Sequence, residues 1–224
     1  MRTKTLLIAV AGLALGVATS MAQTYSQNVV GYVNVVYPAG QMIMSCNPLT
    51  TGNDVITNVI VGAPGASYMY YWTGSSWASY QYSGAQHKWK NGAVDVSSSP
   101  LAPGTAYFIN AASAFTNTYV GTCVANAGGG TCTNYLSAGV APVGSLLPYS
   151  DVVTNTGTFD LLVPGATTMQ IWDPVAQAFQ PAYQYFAASH NWKQGSTVTN
   201  PIIQVGQGFF ISPPSAVNWV QTLQ

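Results

Sequence analysis

The chain has 224 residues, of which 4% are charged and 48% apolar or aromatic, whereas an average soluble domain carries roughly 25% charged residues. All five acidic residues are aspartates (Asp54, Asp95, Asp151, Asp160 and Asp173), and beyond residue 22 they face only Lys88, Lys90 and Lys193. This excludes an electrostatic nucleic-acid binder, which needs a basic surface. It also argues against coiled coils and long surface helices, whose outer faces are built from Glu and Lys.

Residues 1–22 have the layout of a secretory signal peptide. Arg2 and Lys4 form a positive start, Leu6 to Val17 is apolar, and Ser20-Met21-Ala22 offers small residues where a signal peptidase cuts. The run is shorter than the about 20 apolar residues that span a bilayer. No later stretch reaches that length, so the mature chain is expected to be exported, without a membrane span, and to work outside the cell or on its outer surface.

After the cleavage site, Val29 to Tyr37, Ser67 to Trp72, Ser76 to Tyr82, Thr105 to Asn110 and Asn117 to Val124 are short runs rich in Val, Tyr, Trp, Ile and Thr. That composition predicts strands. Asn53 to Ile60 alone predicts a short helix, capped by Asn53 or Asp54. Further strands are expected over Thr167 to Trp172, Ala178 to Tyr185, Gln207 to Ser212 and Val217 to Leu223, with Gly- and Pro-containing turns between them. Tyr135 to Val143 reads as a degraded counterpart of the first strand.

These runs recur. Pro64-Gly65-Ala66 with Tyr70-Tyr71-Trp72 returns as Pro164-Gly165-Ala166 with Gln170-Ile171-Trp172. Tyr80-Gln81-Tyr82 and His87-Lys88-Trp89-Lys90-Asn91-Gly92 return as Tyr183-Gln184-Tyr185 and His190-Asn191-Trp192-Lys193-Gln194-Gly195. Gly104-Thr105-Ala106-Tyr107-Phe108-Ile109 returns as Gly206-Gln207-Gly208-Phe209-Phe210-Ile211. Three matches in one order indicate an internal repeat. The expected architecture is all-β: two tandem β-sandwich or small-barrel units, residues 23–125 and 126–224, with one continuous sandwich as the alternative.

Cys123 and Cys132 flank a glycine-rich loop and are expected to form a disulfide in an oxidising compartment. Cys46, in an apolar setting, reads as a buried thiol, with an intermolecular bridge as the alternative. No cysteine or histidine spacing suits a metal, and no cofactor or catalytic group is indicated. The aspartates are scattered, no opposed carboxylate pair or nucleophile elbow is visible, and no aspartate is expected near either histidine.

The matched aromatics Trp77, Tyr80, Tyr82, Trp89, Phe179, Tyr183, Tyr185 and Trp192 read first as core. The second reading is a stacking platform for sugar rings or for a protein partner. The His-x-Trp-Lys-x-Gly motif reads as a turn whose Trp packs and whose Gly takes a positive φ.

The opening Tyr25-Ser26-Gln27-Asn28-Val29-Val30-Gly31-Tyr32, the strand Tyr70-Tyr71-Trp72 and the segments Leu101-Ala102-Pro103-Gly104-Thr105-Ala106-Tyr107-Phe108 and Gln204-Val205-Gly206-Gln207-Gly208-Phe209-Phe210 resemble a group of secreted β-rich proteins of environmental bacteria, verrucomicrobia above all. This chain departs from the group's usual form in its two units and its glycine-rich cysteine loop. The resemblance implies export and a β fold, and carries no activity.

Functional expectations follow from the surface. A chain so poor in ions resists self-association weakly, and tandem β units present edges that pair strand to strand. The first expectation is a non-enzymatic structural or interaction protein, a subunit of an extracellular filament, sheath or surface layer, with further copies of itself as partner. The alternative is a carbohydrate-binding or adhesive module. The segment carrying Tyr25, Val29, Gly31, Val33 and Val35 is expected as the first strand of its own unit, with donation to a neighbouring subunit as the alternative.

Overall fold

The computed structural model describes residues 30–224. The signal-like leader, and with it Tyr25 and Val29, lies outside the described residues.

β1 (Val30–Tyr37) runs antiparallel to β8 (Phe115–Thr122) as an eight-residue ribbon. Gly31, Val33 and Val35 therefore pair with Gly121, Tyr119 and Asn117 of the same chain, which corrects the alternative that these residues are donated to a neighbour. Between the two ribbon strands lie β2 (Met42–Cys46), α1 (Ile56–Val59), β3 (Tyr68–Trp72), β4 (Trp77–Ser83), β5 (Lys88–Asn91), β6 (Val94–Asp95) and β7 (Ala106–Asn110). These strands form a six-stranded sheet of order β2-β7-β3-β4-β5-β6, antiparallel throughout.

After α2 (Val124–Ala127), the arrangement recurs. β9 (Thr131–Leu136) pairs with the final strand β19 (Val217–Thr222). The elements between them are β10 (Ala141–Gly144), β11 (Asp151–Val152), β12 (Thr168–Asp173), β13 (Ala178–Phe179), β14 (Tyr183–Phe186), β15 (Asn191–Gln194), β16 (Thr197–Val198), β17 (Ile202–Ile203) and β18 (Gly208–Ser212). The second sheet has order β10-β18-β12-β14-β15-β16, with β13 on β12, while β11 and β17 form a separate pair. Every ladder between the described strands stays within its own half of the chain, and the two halves follow one strand order.

Successive side chains of a strand point to opposite faces. In β3 and β7, Met69, Tyr107 and Ile109 point inward and are fully buried, while Tyr68 and Tyr70 point out. Trp89 and Trp192, the tryptophans of the repeated His-x-Trp-Lys-x-Gly motif, have no exposed surface and lie beside Tyr82 and Tyr185 at the same 5.2 Å centroid distance. His87 and His190 take left-handed φ values of 52° and 49°, and Gly92 and Gly195 values of 60° and 58°. The motif is thus a short strand between two turns. Its glycines occupy a region that other residues enter at a cost.

In the first half the ribbon is tied to its sheet by hydroxyls. Tyr119 lies 2.9 Å from Tyr37 and 2.6 Å from Tyr107, oxygen to oxygen, all three buried.

Two expectations about local structure change. The helix near residue 55 is only Ile56–Val59 and no side chain caps it. Asp54 instead accepts from Thr50 Oγ1, Thr51 N and Thr51 Oγ1 in the preceding loop. The counterpart of β1 is Thr131–Leu136 rather than residues 135–143, because that is the segment β19 pairs with.

The cysteine expectation is also corrected: Cys123 and Cys132 are separate thiols, both buried. Cys123 precedes α2 and its thiol lies 3.6 Å from the Leu146 carbonyl, while Cys132 pairs with Gln221 inside the second ribbon. Each is held by its own element. Cys46 is a buried thiol, as its apolar neighbours suggested.

Removing either motif tryptophan leaves a cavity the surrounding sheet fills poorly. Trp89→Ala and Trp192→Ala are each expected to lower the unfolding free energy by about 3–5 kcal/mol, read from urea denaturation.

Burial pushes the Tyr37, Tyr107 and Tyr119 phenols above their ordinary range. The folded state keeps these protons where the unfolded chain, near pH 10, releases them. Stability contributed by the neutral hydroxyls is therefore present below about pH 10 and lost as pH rises above it. Tyr119→Phe is expected to flatten that alkaline loss while costing about 1–3 kcal/mol at pH 7, since it leaves two buried hydroxyls short of a partner.

Candidate functional site

The two halves meet edge to edge. Cys46 N donates to the Gly206 carbonyl at 2.9 Å, and Gly144 N donates to the Gly104 carbonyl at 2.9 Å. Cys46 and Gly144 occupy matching places in β2 and β10, opposite Ala106 and Gly208 respectively. Gly104 and Gly206 match in the same way. The isolated bridges Ser45–Gln207 and Val143–Thr105 repeat the relation. The contact is a local two-fold, made by one surface against its own counterpart.

On the outer faces of the sheets, six rings surround this seam. Trp72, Trp77 and Phe108 come from β3, β4 and β7, and Trp172, Phe179 and Phe210 from β12, β13 and β18. Within the halves the distances correspond: Trp72–Trp77 is 5.2 Å and Trp172–Phe179 is 5.0 Å, Trp77–Phe108 is 5.5 Å and Phe179–Phe210 is 5.4 Å. Across the seam, Trp77–Phe210 is 5.9 Å, Phe179–Phe108 is 6.3 Å and Trp172–Phe108 is 5.2 Å. All are edge-to-face contacts, the favoured geometry for aromatic pairs. Trp172 Nε1 also donates to the Met42 carbonyl at 2.8 Å, and Gln177 brackets the same residue, accepting from Met42 N and donating to Met42 O.

Phe108 is buried, but Trp77 and Phe179 keep 36% and 39% of their surface exposed. They form the rim of an uncharged aromatic surface straddling both halves. Two clefts flank it, of about 190 Å³ under Trp172 and about 250 Å³ under Trp72. One is walled by Ile43, Met44 and Ser45 against Val205, Gly206 and Gln207, the other by Ala141, Pro142 and Val143 against Pro103, Gly104 and Thr105. They are counterparts across the seam.

The eight aromatics singled out by repetition divide sharply. Trp89, Trp192, Tyr80, Tyr183 and Tyr185 are buried, so they are core and are corrected as contact residues. Tyr82 is half-buried against Trp89. Only Trp77 and Phe179 reach the outer face, and they are the pair the structure brings together at one site. Sequence reasoning missed Phe108, Phe210, Met42 and Gln177. The repeat did contain a signal for the two phenylalanines, which occupy one position in the matched Gly104 and Gly206 segments.

The aspartates are engaged locally. Lys88 Nζ lies 2.6 Å from Asp95 and holds that carboxyl well below the usual carboxylate range. Asp151 accepts from Val152 N, Asn155 Nδ2 and Thr158 Oγ1, and Asp173 from Val175 N and Ala176 N. Asp160 lies 3.2 Å from His190 Nε2, which overturns the expectation that neither histidine has an aspartate nearby. His87, its counterpart, faces Tyr82 OH instead, at 3.5 Å. Among the described residues no group of three His, Cys, Asp or Glu side chains is placed to hold a metal, and no helix is long and apolar enough to cross a membrane.

Comparison with protein-family models, with curated proteins and with solved structures finds no match.

Burial pushes the Cys46 and Cys132 thiols up to about 12 and raises that of Cys123. The reactive thiolate is therefore scarce at neutral pH. A disulfide-exchange reagent at pH 8 is expected to label none of the three in the folded chain and all three in guanidinium. A result of one thiol in guanidinium would mean that a disulfide has formed.

Proposed function

We propose that the protein is exported and acts as a non-enzymatic interaction protein, building an extracellular or cell-surface assembly from copies of itself. The observation that carries this reading is the chemistry of the two ribbons. Their outer faces present Tyr32 (74% exposed), Val36 and Val120 on one, and Tyr135 (65% exposed) and Val220 on the other, set among Asn and Thr without a charge. Ribbons of β-branched and aromatic residues with no ionic gatekeepers are suited to strand and face association. The aspartates sit in loops or local ion pairs outside both ribbons.

A second reading, carbohydrate binding, is favoured by one specific feature: Trp77 and Phe179 on the rim of a neutral surface flanked by Gln and Thr groups. Sugar rings stack their apolar faces on such side chains, and amides or hydroxyls bond the remainder.

Light scattering and negative-stain imaging of the chain without residues 1–22 test the first reading. Growth of ordered particles that persists at high salt is expected, because screening weakens only charge-borne contacts. Tyr32→Lys combined with Val120→Lys is expected to suppress growth with little change in stability, since both side chains face solvent. Monodisperse single chains at the highest attainable concentration would refute it. For the second reading, retention on an immobilised neutral polysaccharide is expected to be lost in Trp77→Ala, at about 1–3 kcal/mol per stacked ring.

A further inference from the structure

We propose that the seam between the halves is an exchangeable joint coded for unlike halves, so that the first half of one chain pairs with the second half of another copy. This rests on the self-assembly reading and names the joint that would serve it.

The code lies on the local two-fold. A pair of equivalent residues that sit on such an axis meet each other, and here both pairs are mismatched in size. Cys46 faces Gly144, where a Cβ would fall 2.2 Å from Cys46 Sγ. Ala106 faces Gly208, where a Cβ would fall 2.8 Å from Ala106 Cβ. Two first halves brought together would set Cys46 against Cys46 and Ala106 against Ala106, which overlap. Two second halves would set glycine against glycine and leave a void. Only a first half against a second half fills the seam, since overpacking and cavities are both penalised. Specificity here comes from excluding the like pairings.

One buried apolar core runs through both halves, so opening the joint needs denaturant, but the topology lets each half keep its own sheet when it opens. No ladder crosses it: all named strand pairs lie within one half, and the backbone contacts across it are the two hydrogen bonds and two isolated bridges already described. The halves are joined covalently through α2 and Gly128-Gly129-Gly130, whose last two residues take φ values of 68° and 98°. Opening the seam and re-forming it with another chain restores every contact except the conformation of this connection, which is the condition for exchange between copies. Because the surface offered by the first half differs from that of the second, repeated exchange runs head to tail. It closes into a two-chain or larger ring, or continues as a filament.

The experiment inverts the code between two chains. Gly144→Val prevents a chain from closing its own seam, and Cys46→Gly opens a matching hole. The two variants are mixed after brief opening in urea and examined by native mass spectrometry. The expected result is a one-to-one complex of the two variants as the main species, at twice the single-chain mass, with little self-pairing of Gly144→Val. The double variant, with both changes in one chain, is expected to return to the compact single-chain form. Two separate single-chain populations, with the double variant compact, overturn the proposal. So does a Gly144→Val chain that stays as compact as the original.

Should Gly144→Val fail to fold, the unaltered chain in isotopically heavy and light forms is mixed in the same way. Exchanged dimers of mixed mass support the joint, and their absence overturns it. Assembly of the unaltered chain that is insensitive to the seam changes but abolished by Tyr32→Lys with Val120→Lys would leave the self-assembly reading standing and remove this joint from it.

Discussion

Two backbone hydrogen bonds, Cys46 N to Gly206 O and Gly144 N to Gly104 O, set the edge of one sheet against the edge of the other. The edge strands β2 and β10 would otherwise expose the polar backbone that makes free edges prone to pairing. Holding them this close requires the absence of a side chain at Gly144 and Gly208. That approach draws Met44, Ala106, Phe108, Trp172 and Phe210 into a small apolar cluster of their own. The aromatic surface and both clefts exist because the edges meet. A larger residue at Gly144 would therefore disturb the candidate site as well as the contact between halves.

Scarcity of charge has a second structural effect. With so few ionic groups, polar backbone at turns is satisfied by hydroxyls, amides and the carboxylates themselves: Asp54 and Asp173 close loops, and Thr73, Asn155 and Gln207 do the same elsewhere. The aspartates, all at least partly exposed, thereby contribute local order to turns and loops. The ribbon faces carry no charge, and neutral β surfaces associate through area and shape, without long-range repulsion to keep copies apart. The ribbon faces and the ring cluster are two separate consequences of the same composition.

Much of the fold was legible because its signals are local. Val, Tyr and Trp alternation located β3, β4, β7 and β8, and the Asn91-Gly92 turn marked a hairpin end. Repetition paired Trp89 with Trp192, and their complete burial shows both to be structural. The site was less legible for a physical reason. Alternation separates the two faces of a strand but does not say which one meets the core. Tyr80 and Trp77 lie on one strand, three residues apart, and only the register with β3 sends Tyr80 inward and Trp77 out. The seam was invisible for a related reason: Cys46 and Gly144 are 98 positions apart, and the strand holding Cys46 has Ile43 as its one β-branched residue among Met, Ser and Cys. Asp160 and His190 likewise meet only through tertiary packing.

The interiors of the halves have diverged in chemistry while keeping one geometry. Asn117 of β8 donates to the Val59 carbonyl, and Trp219, at the matching place in β19, donates to the carbonyl of Phe159. Tyr119, two residues on from Asn117, joins Tyr37 and Tyr107. The corresponding Gln221 instead accepts from Leu146 N and donates to Ser145 Oγ, and the positions of Tyr37 and Tyr107 are held by Leu136 and Phe209. A β19 strand placed on the first ribbon would bury the Gln221 amide beside tyrosine hydroxyls that already need each other, and would wedge an indole where Asn117 fits. Unpaired buried polar groups of this kind cost about 1–3 kcal/mol each. Individual strands are thus barred from trading places between halves, although the two halves share a strand order. The unit that can change partners without leaving a buried polar group unsatisfied is the whole half, and the seam gives it an unlike, size-matched face.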